Sequence, residues 1–388
     1  MGNQTSAVSC SGYIENDVIV HAEKAKNDFP FPPREGCVAC SCSGRIYVFG
    51  GVVQTNHGEG DEPLETNELI TFDIASQQWS KVHAKGTPPP ARAAASLVAV
   101  GSKVYLFGGL SHMFGWFDDV FTFDTVTETW SIMETEGNKP RARDKHQGVA
   151  VGTSIYYFGG FGPLTDEDVE LEEDDEEESE EIPEANDQEG AEFGWFNDLF
   201  VLDTVKGQWS QPMHMNLGVP TPRAAHGMCA VDGNLYIFGG RDIEDRQNDL
   251  HIFNIASRKW DTELKVQGIP PAPRSFHSMT AVGKRVVVIG GRGRDNSHFA
   301  DLHIFDTEAR HWLQPEVKGA SVGAPRGQHI AEVVSDCLVV FGGTGNFSTD
   351  RMQCQDFYRD VWLIKTEELI KGGIKVSHAS SNPNSQTV

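Results

Sequence analysis

An arginine stands sixteen residues ahead of a glycine pair six times in this chain, and the spacing never changes. The pairs are Arg34 with Gly50-Gly51, Arg92 with Gly108-Gly109, Arg143 with Gly159-Gly160, Arg223 with Gly239-Gly240, Arg274 with Gly290-Gly291 and Arg326 with Gly342-Gly343. A spacing this rigid marks repeated structure, and each repeat carries further signals. A short apolar or aromatic run precedes every glycine pair, as in Ile46 to Phe49 and Leu235 to Phe238. Such runs, β-branched or aromatic and stopped by Gly, predict buried strands. A second strand follows with an acidic residue before its first apolar one: Asp119-Val120, Asp198-Leu199, Asp249-Leu250, Asp301-Leu302 and Asp360-Val361. Five units then place a Trp six residues after an Asp or Asn: Asp73 and Trp79, Asp124 and Trp130, Asp203 and Trp209, Asn254 and Trp260, Asp306 and Trp312. Four strands in roughly fifty residues make one unit.

Four short strands, a glycine pair after the second and a spaced Trp near the fourth resemble the kelch repeat over nearly the whole chain. The resemblance implies an all-β, six-bladed kelch β-propeller over residues 18–366. Composition adds a flexible segment at 1–17 and a short disordered tail at 367–388, in which Glu367 to Lys371 fit one helical turn before Gly372-Gly373 and the Ser- and Asn-rich stretch from Ser377. The sixth unit lacks its Trp, because Gly372 stands six residues beyond Thr366. An N-terminal strand around Val18, Ile19 and Val20 is expected to supply the missing outer strand and leave no open edge.

The net charge of −24 argues against a nucleic-acid surface. Its distribution matters more, because residues 165–192 hold seventeen Asp and Glu and no Lys or Arg, leaving −7 on the rest. So dense a block of like charge, inserted in the third unit, predicts disorder. It reads either as a solvated loop or as an acidic lid over a basic site. No run of eighteen apolar residues and no secretory signal is present, and seven Cys on or near predicted strands read as reduced buried thiols of a cytosolic or nuclear protein. Met1-Gly2-Asn3-Gln4-Thr5-Ser6 fits N-myristoylation at Gly2, with Cys10 in reach for a second chain, and also fits a flexible tail matching by chance. Membrane association would rest on that acylation alone.

Cys37, Cys40 and Cys42 have a metal-like spacing, but they lie on a predicted inner strand with no second ligand pair. His146, His226, His277 and His329 each follow a repeat Arg by three residues, and that repetition favours a structural role over metal binding. No nucleophile–base order, carboxylate pair or phosphate loop stands out, so neither catalysis nor a cofactor is expected.

Strand alternation puts the loops that follow the glycine pairs on one face with the starts of the repeats. There Arg241 and Arg246 form a potential fork for a carboxylate, while Asp242, Glu244 and Asp245 offer rival partners in surface salt bridges. From Gly194 to His277 the chain resembles kelch-domain substrate receptors of cullin-RING ubiquitin ligases that read the C-terminal glycine end of a polypeptide. That resemblance implies carboxylate binding by Arg241, Arg246 and Ser275, with Lys145, Trp195, Phe161 and Phe276 around them. Phe161 stands where the family has Tyr and Phe276 where it has Trp. Nothing from Thr366 to Val388 matches the family's elongin-binding box, so elongin and cullin partnership is left open. The alternative is an adaptor propeller in vesicle, cytoskeletal or nuclear complexes without carboxylate selectivity.

Overall fold

The computed structural model describes residues 14–54, 64–164, 192–213, 218–319 and 322–376. Residues 165–191 of the acidic stretch, with Gly2 and Cys10, lie outside them. Six sheets with four antiparallel strands each, three of them carrying a short fifth strand in parallel, follow one another among the described residues, beginning with Val38–Cys42, Ser96–Val100, Gln147–Val151, Gly227–Val231, Ser278–Val282 and Ile330–Val334. Each of these first strands neighbours the next, and the sixth neighbours the first, so they ring a central channel of about 350 Å³. The chain is a β-propeller, as the repeats predicted, and its sheets are called blades one to six below.

Why the Trp recurs is visible between blades. Trp130 packs on Phe49, Trp209 on Phe107, Trp260 on Phe158, Trp312 on Phe238 and Trp79 on Phe341, with ring centroids 5.0–5.8 Å apart. Each Trp therefore covers the aromatic residue before the preceding blade's glycine pair. The Asp or Asn six residues upstream caps the intervening turn, as Asp124 accepts from the backbone N–H groups of Val126 and Thr127. Blade five has Ile289 in place of that Phe, and its partner is the N-terminal strand instead of a Trp. Val18, Val20 and Ala22 share one buried cluster with Ile289 and Ile364.

That strand, Ile19–Lys24, pairs antiparallel with Val361–Lys365 of blade six and parallel with Glu316–Gly319. The ring is thus joined through both ends of the propeller, which protects what would be a bare edge. The tail expected to be disordered from residue 367 begins in order. A one-turn helix, Thr366–Ile370, buries Leu369, and Arg285 donates to the carbonyls of Leu369, Lys371 and Gly372. Ile374–Val376 then pairs with Ile14–Asn16, so the segment expected to be flexible at 1–17 also contributes a strand. The helical turn agrees with the sequence reading, whereas its docking rests on long-range bonds from Arg285 that composition does not reveal.

The four repeated histidines sit between blades. His146, His226 and His277 stand edge-on to Phe107, Phe158 and Phe238 at 5.1–5.5 Å, and His329 contacts the Ser278 hydroxyl at 2.9 Å. Burial pushes His226 and His329 down to about 3, with nearby Arg223 and Arg326 adding to the effect, and pushes His146 and His277 well below the usual range. Glu332, the carboxyl facing the channel, is pushed the other way to about 8 by desolvation.

Two outcomes follow for stability. Val20 is fully buried while Ile19 is 40% exposed, so Val20→Asp should cost about 3 kcal/mol or more and Ile19→Asp under about 1 kcal/mol in urea denaturation. Equal effects would mean the closing strand does not pack as described. Unfolded histidine takes up protons from about pH 6.5 downward, whereas these four stay neutral in the fold until far lower pH. Their contribution is present above about pH 6.5 and drains as pH falls; Glu332 opposes it, but one group does not offset four. The urea midpoint should drop between pH 7 and 4.5, and His226→Phe should flatten that slope; a flat wild-type profile would contradict the assignment.

Candidate functional site

The glycine-pair face is built from two rings of equivalent positions. In the first, the residue two beyond each repeat Arg takes a left-handed backbone: Gly36, Ala94, Lys145, Ala225, Phe276 and Gln328 have φ between 53° and 64°. The N–H groups of Ala94, Lys145, Ala225, Phe276 and Gln328 donate at 2.7–2.9 Å to the preceding blade's equivalent carbonyl. The strain of roughly 1 kcal/mol per non-glycine residue is offset by a bond that stitches neighbouring blades. This ring brings Lys145, Phe276 and Gln328 around the channel mouth.

The second ring is the residue just after each glycine pair: Val52, Leu110, Phe161, Arg241, Arg292 and Thr344. Each pairs through its backbone with the start of its own repeat, at Glu35, Ala93, Asp144, Ala224, Ser275 and Gly327. Its chemistry is lopsided. Blades one to three present apolar side chains, and blades four and five present two guanidinium groups.

On the apolar side, blade three's central strands run past the glycine pair as a long hairpin, Ser154–Pro163 with Phe193–Asp203, carrying the ends of the acidic insertion. Phe161 and Trp195 are cross-strand partners there, edge to face at 5.2 Å. Trp116 extends the row, 6.2 Å from Phe161 and 4.9 Å from Phe193. Lys145 lies 5.9 Å from the Phe161 ring centre, but its ammonium is already paired with buried Asp144. It supplies less free positive charge than the sequence alone suggests.

On the cationic side, Arg246 is only 4% exposed. Its Nε donates to the Ser275 hydroxyl and its Nη2 to Asn296 Oδ1, both at 3.0 Å. Neither partner is charged, and Nη1 has no partner among the described residues. Ser275, which the resemblance places against the carboxylate, is fully buried and accepts from Arg246, so it positions that guanidinium. Arg241 is exposed and makes no ion pair among the described residues. Two of the three expected rivals are occupied elsewhere: Asp245 pairs with Arg294 at 3.1 Å, and Asp242 accepts from Thr221 and Gln247 at 2.8–2.9 Å; Glu244 forms no ion pair with either Arg among the described residues.

Arg292 is the residue the sequence reading passed over, although it stands at Arg241's position one repeat later. Its guanidinium lies over Phe347 at 4.2 Å and near Phe276 at 5.3 Å, and its Nε is buried without an acceptor. Desolvation, then repulsion from Arg292 and Arg241, brings Arg246 down to about 10. Arg292 is lowered too, by burial and by Arg241. Both guanidiniums therefore stay charged at neutral pH. His298 beside them is pushed down to about 4 by burial and the same cations, so it is neutral. Three unneutralised guanidiniums on one concave face can bind anions with planar, paired acceptors.

The profile of the KLHDC2/KLHL20/DRC7 Kelch-repeats domain matches residues 18–173 and 185–380. Kelch domain-containing protein 1 of Mus musculus is 31% identical over 328 residues, covering 80% of this chain and 78% of its own. Kelch domain-containing protein 2 of Bos taurus is 30% identical over 325 residues, with 81% and 76% covered, and kelch domain-containing protein 3 of Bos taurus is 30% identical over 339, with 81% and 78% covered. With its repeats, its blades and these relatives in agreement, the chain belongs to the kelch-repeat family of protein-interaction propellers.

Proposed function

We propose that the glycine-pair face binds the free C-terminal end of a partner polypeptide, its carboxylate held by Arg246 and Arg241. The observation that carries this reading is the buried guanidinium of Arg246, fixed by two neutral partners and without an ion pair to a carboxylate among the described residues. Taking a charge out of water costs several kcal/mol unless a counterion repays it, and here a ligand is the natural source. Ser275 and Asn296 lock the fork's orientation and leave Nη1 for the ligand. Phe276 and Lys145 at the channel mouth, with Phe161 and Trp195 along the hairpin, leave more room for a terminal Gly than for a branched residue.

Delivery of that polypeptide to a ubiquitin ligase is a separate step. The described tail, Thr366–Val376, is occupied in docking against its own propeller, so a recruiting surface would have to lie elsewhere. Co-purification of elongin and cullin subunits with the full chain is the check on a ligase role; capture of neither leaves a C-terminus-binding adaptor.

The binding site itself is testable with fluorescent peptides of randomised interior ending in Gly. Arg241→Ala and Arg246→Ala should each weaken binding roughly ten- to a hundredfold, the worth of a charge-assisted hydrogen bond in a partly dry site. Arg246→Lys should rescue little, since an ammonium cannot reach Ser275, Asn296 and the ligand in one plane. Because Arg241 is exposed, its variant carries no folding penalty, and unchanged affinity in Arg241→Ala would sink the proposal.

A further inference from the structure

One carboxylate neutralises one unit of charge, and this face presents three guanidiniums. The third, Arg292, is as deliberately held as the second. Its backbone is paired with Ser275, the residue that positions Arg246, and its guanidinium sits over the Phe347 and Phe276 rings. Stacking of this kind fixes the plane of the cation without neutralising it. Of the acids near it, half-buried Glu35 attracts it without forming an ion pair and accepts from Gln328 at 3.2 Å, while Asp295 accepts from Ser297 and Asp245 pairs with Arg294. Arg292 makes no ion pair among the described residues, and its buried Nε has no acceptor.

We infer that Arg292 binds a second carboxylate on the same polypeptide end, so that the tails this protein prefers carry Asp or Glu within the last three residues. The inference rests on the carboxylate-end reading above and narrows it to a substrate class. A tail with only its terminal carboxylate would leave Arg292 facing two like charges across a partly dry site. An acidic side chain one or two residues upstream supplies the paired carboxylate that Glu35 does not, while the terminal carboxylate occupies Arg241 and Arg246. The requirement is geometric as well as electrostatic: the cation is planar and fixed, so a carboxylate meets it in paired fashion and an amide isostere does not.

Paired peptides that differ by a single acid-to-amide exchange provide the test. Free-acid decapeptides ending Asp-Gly and Asn-Gly, or Glu-Gly and Gln-Gly, would be titrated against the full chain in about 0.1 M salt, with the exchange also placed one residue further upstream. Wild type should favour the acid of a pair roughly tenfold at one of these positions. Arg292→Gln should erase that preference while changing affinity for the Asn or Gln peptides less than about twofold. Arg292→Lys, which keeps the charge, should retain part of it. Arg246→Ala should weaken both members of each pair together. If wild type binds acid and amide members equally yet still prefers free over amidated C-termini, the inference is overturned and the carboxylate-end reading stands. A preference that survives Arg292→Gln overturns it as well. Indifference to the free C-terminus would remove the reading on which it rests.

Discussion

Six buried guanidiniums hold this propeller together, and the sixteen-residue spacing in the sequence is their signature. In each blade the repeat arginine donates to the carbonyl of the first glycine of its pair, sixteen residues on, at 2.7–3.4 Å. Its other nitrogens reach an acid at the start of the third strand and the carbonyl two residues back, as Arg274 does with Asp301 and Ala272. One side chain thus ties the start of a blade, its glycine turn and its third strand. Buried pairs of this kind add little net stability over apolar packing, but losing one partner strands a charge at a cost of about 3–5 kcal/mol. The glycines answer a matching constraint. A side chain at Gly239, with φ of 61°, would meet the Arg274 carbonyl of the next blade at 2.8 Å.

What separates the repeat arginines from those of the candidate site is the presence of an acid. Arg92, Arg143, Arg223, Arg274 and Arg326 each chelate an Asp, and Arg34 uses the longer Glu68. Arg241, Arg246 and Arg292 form no ion pair among the described residues. Residue type is the same, burial overlaps, and only the partner list separates scaffold from site. The repeat therefore supplies a fixed platform, while the residue after each glycine pair is free to vary and gives the face its apolar and cationic halves.

Much of this was legible in the chain. The apolar runs before each glycine pair, the acid-led third strands and the spaced Trp all became what their pattern implied, because each answers a local rule or a repeated contact. Arg241 and Arg246 were visible as cations in a loop beyond a glycine pair. What stayed hidden depended on contacts between loops of different blades. Nothing local distinguishes Ser275 behind a guanidinium from Ser275 in front of one, and the partner of Asp245 proved to be Arg294, from the next blade. Arg292 could have been found by aligning the repeats on their glycine pairs and reading one column. The helical turn near Glu367 to Lys371 was legible too, but its docking was not, since that depends on Arg285, more than eighty residues away.

The central claim is that unneutralised arginines on the glycine-pair face recognise a free carboxylate. The most direct measurement is the affinity of the intact protein for one pool of Gly-terminated peptides prepared with free and with amidated C-termini, at low and high salt. The account predicts clear preference for the free acids, narrowing but not vanishing near 1 M salt, because a partly buried pair is screened less than an exposed one. Amidated and free-acid peptides bound equally well would contradict it.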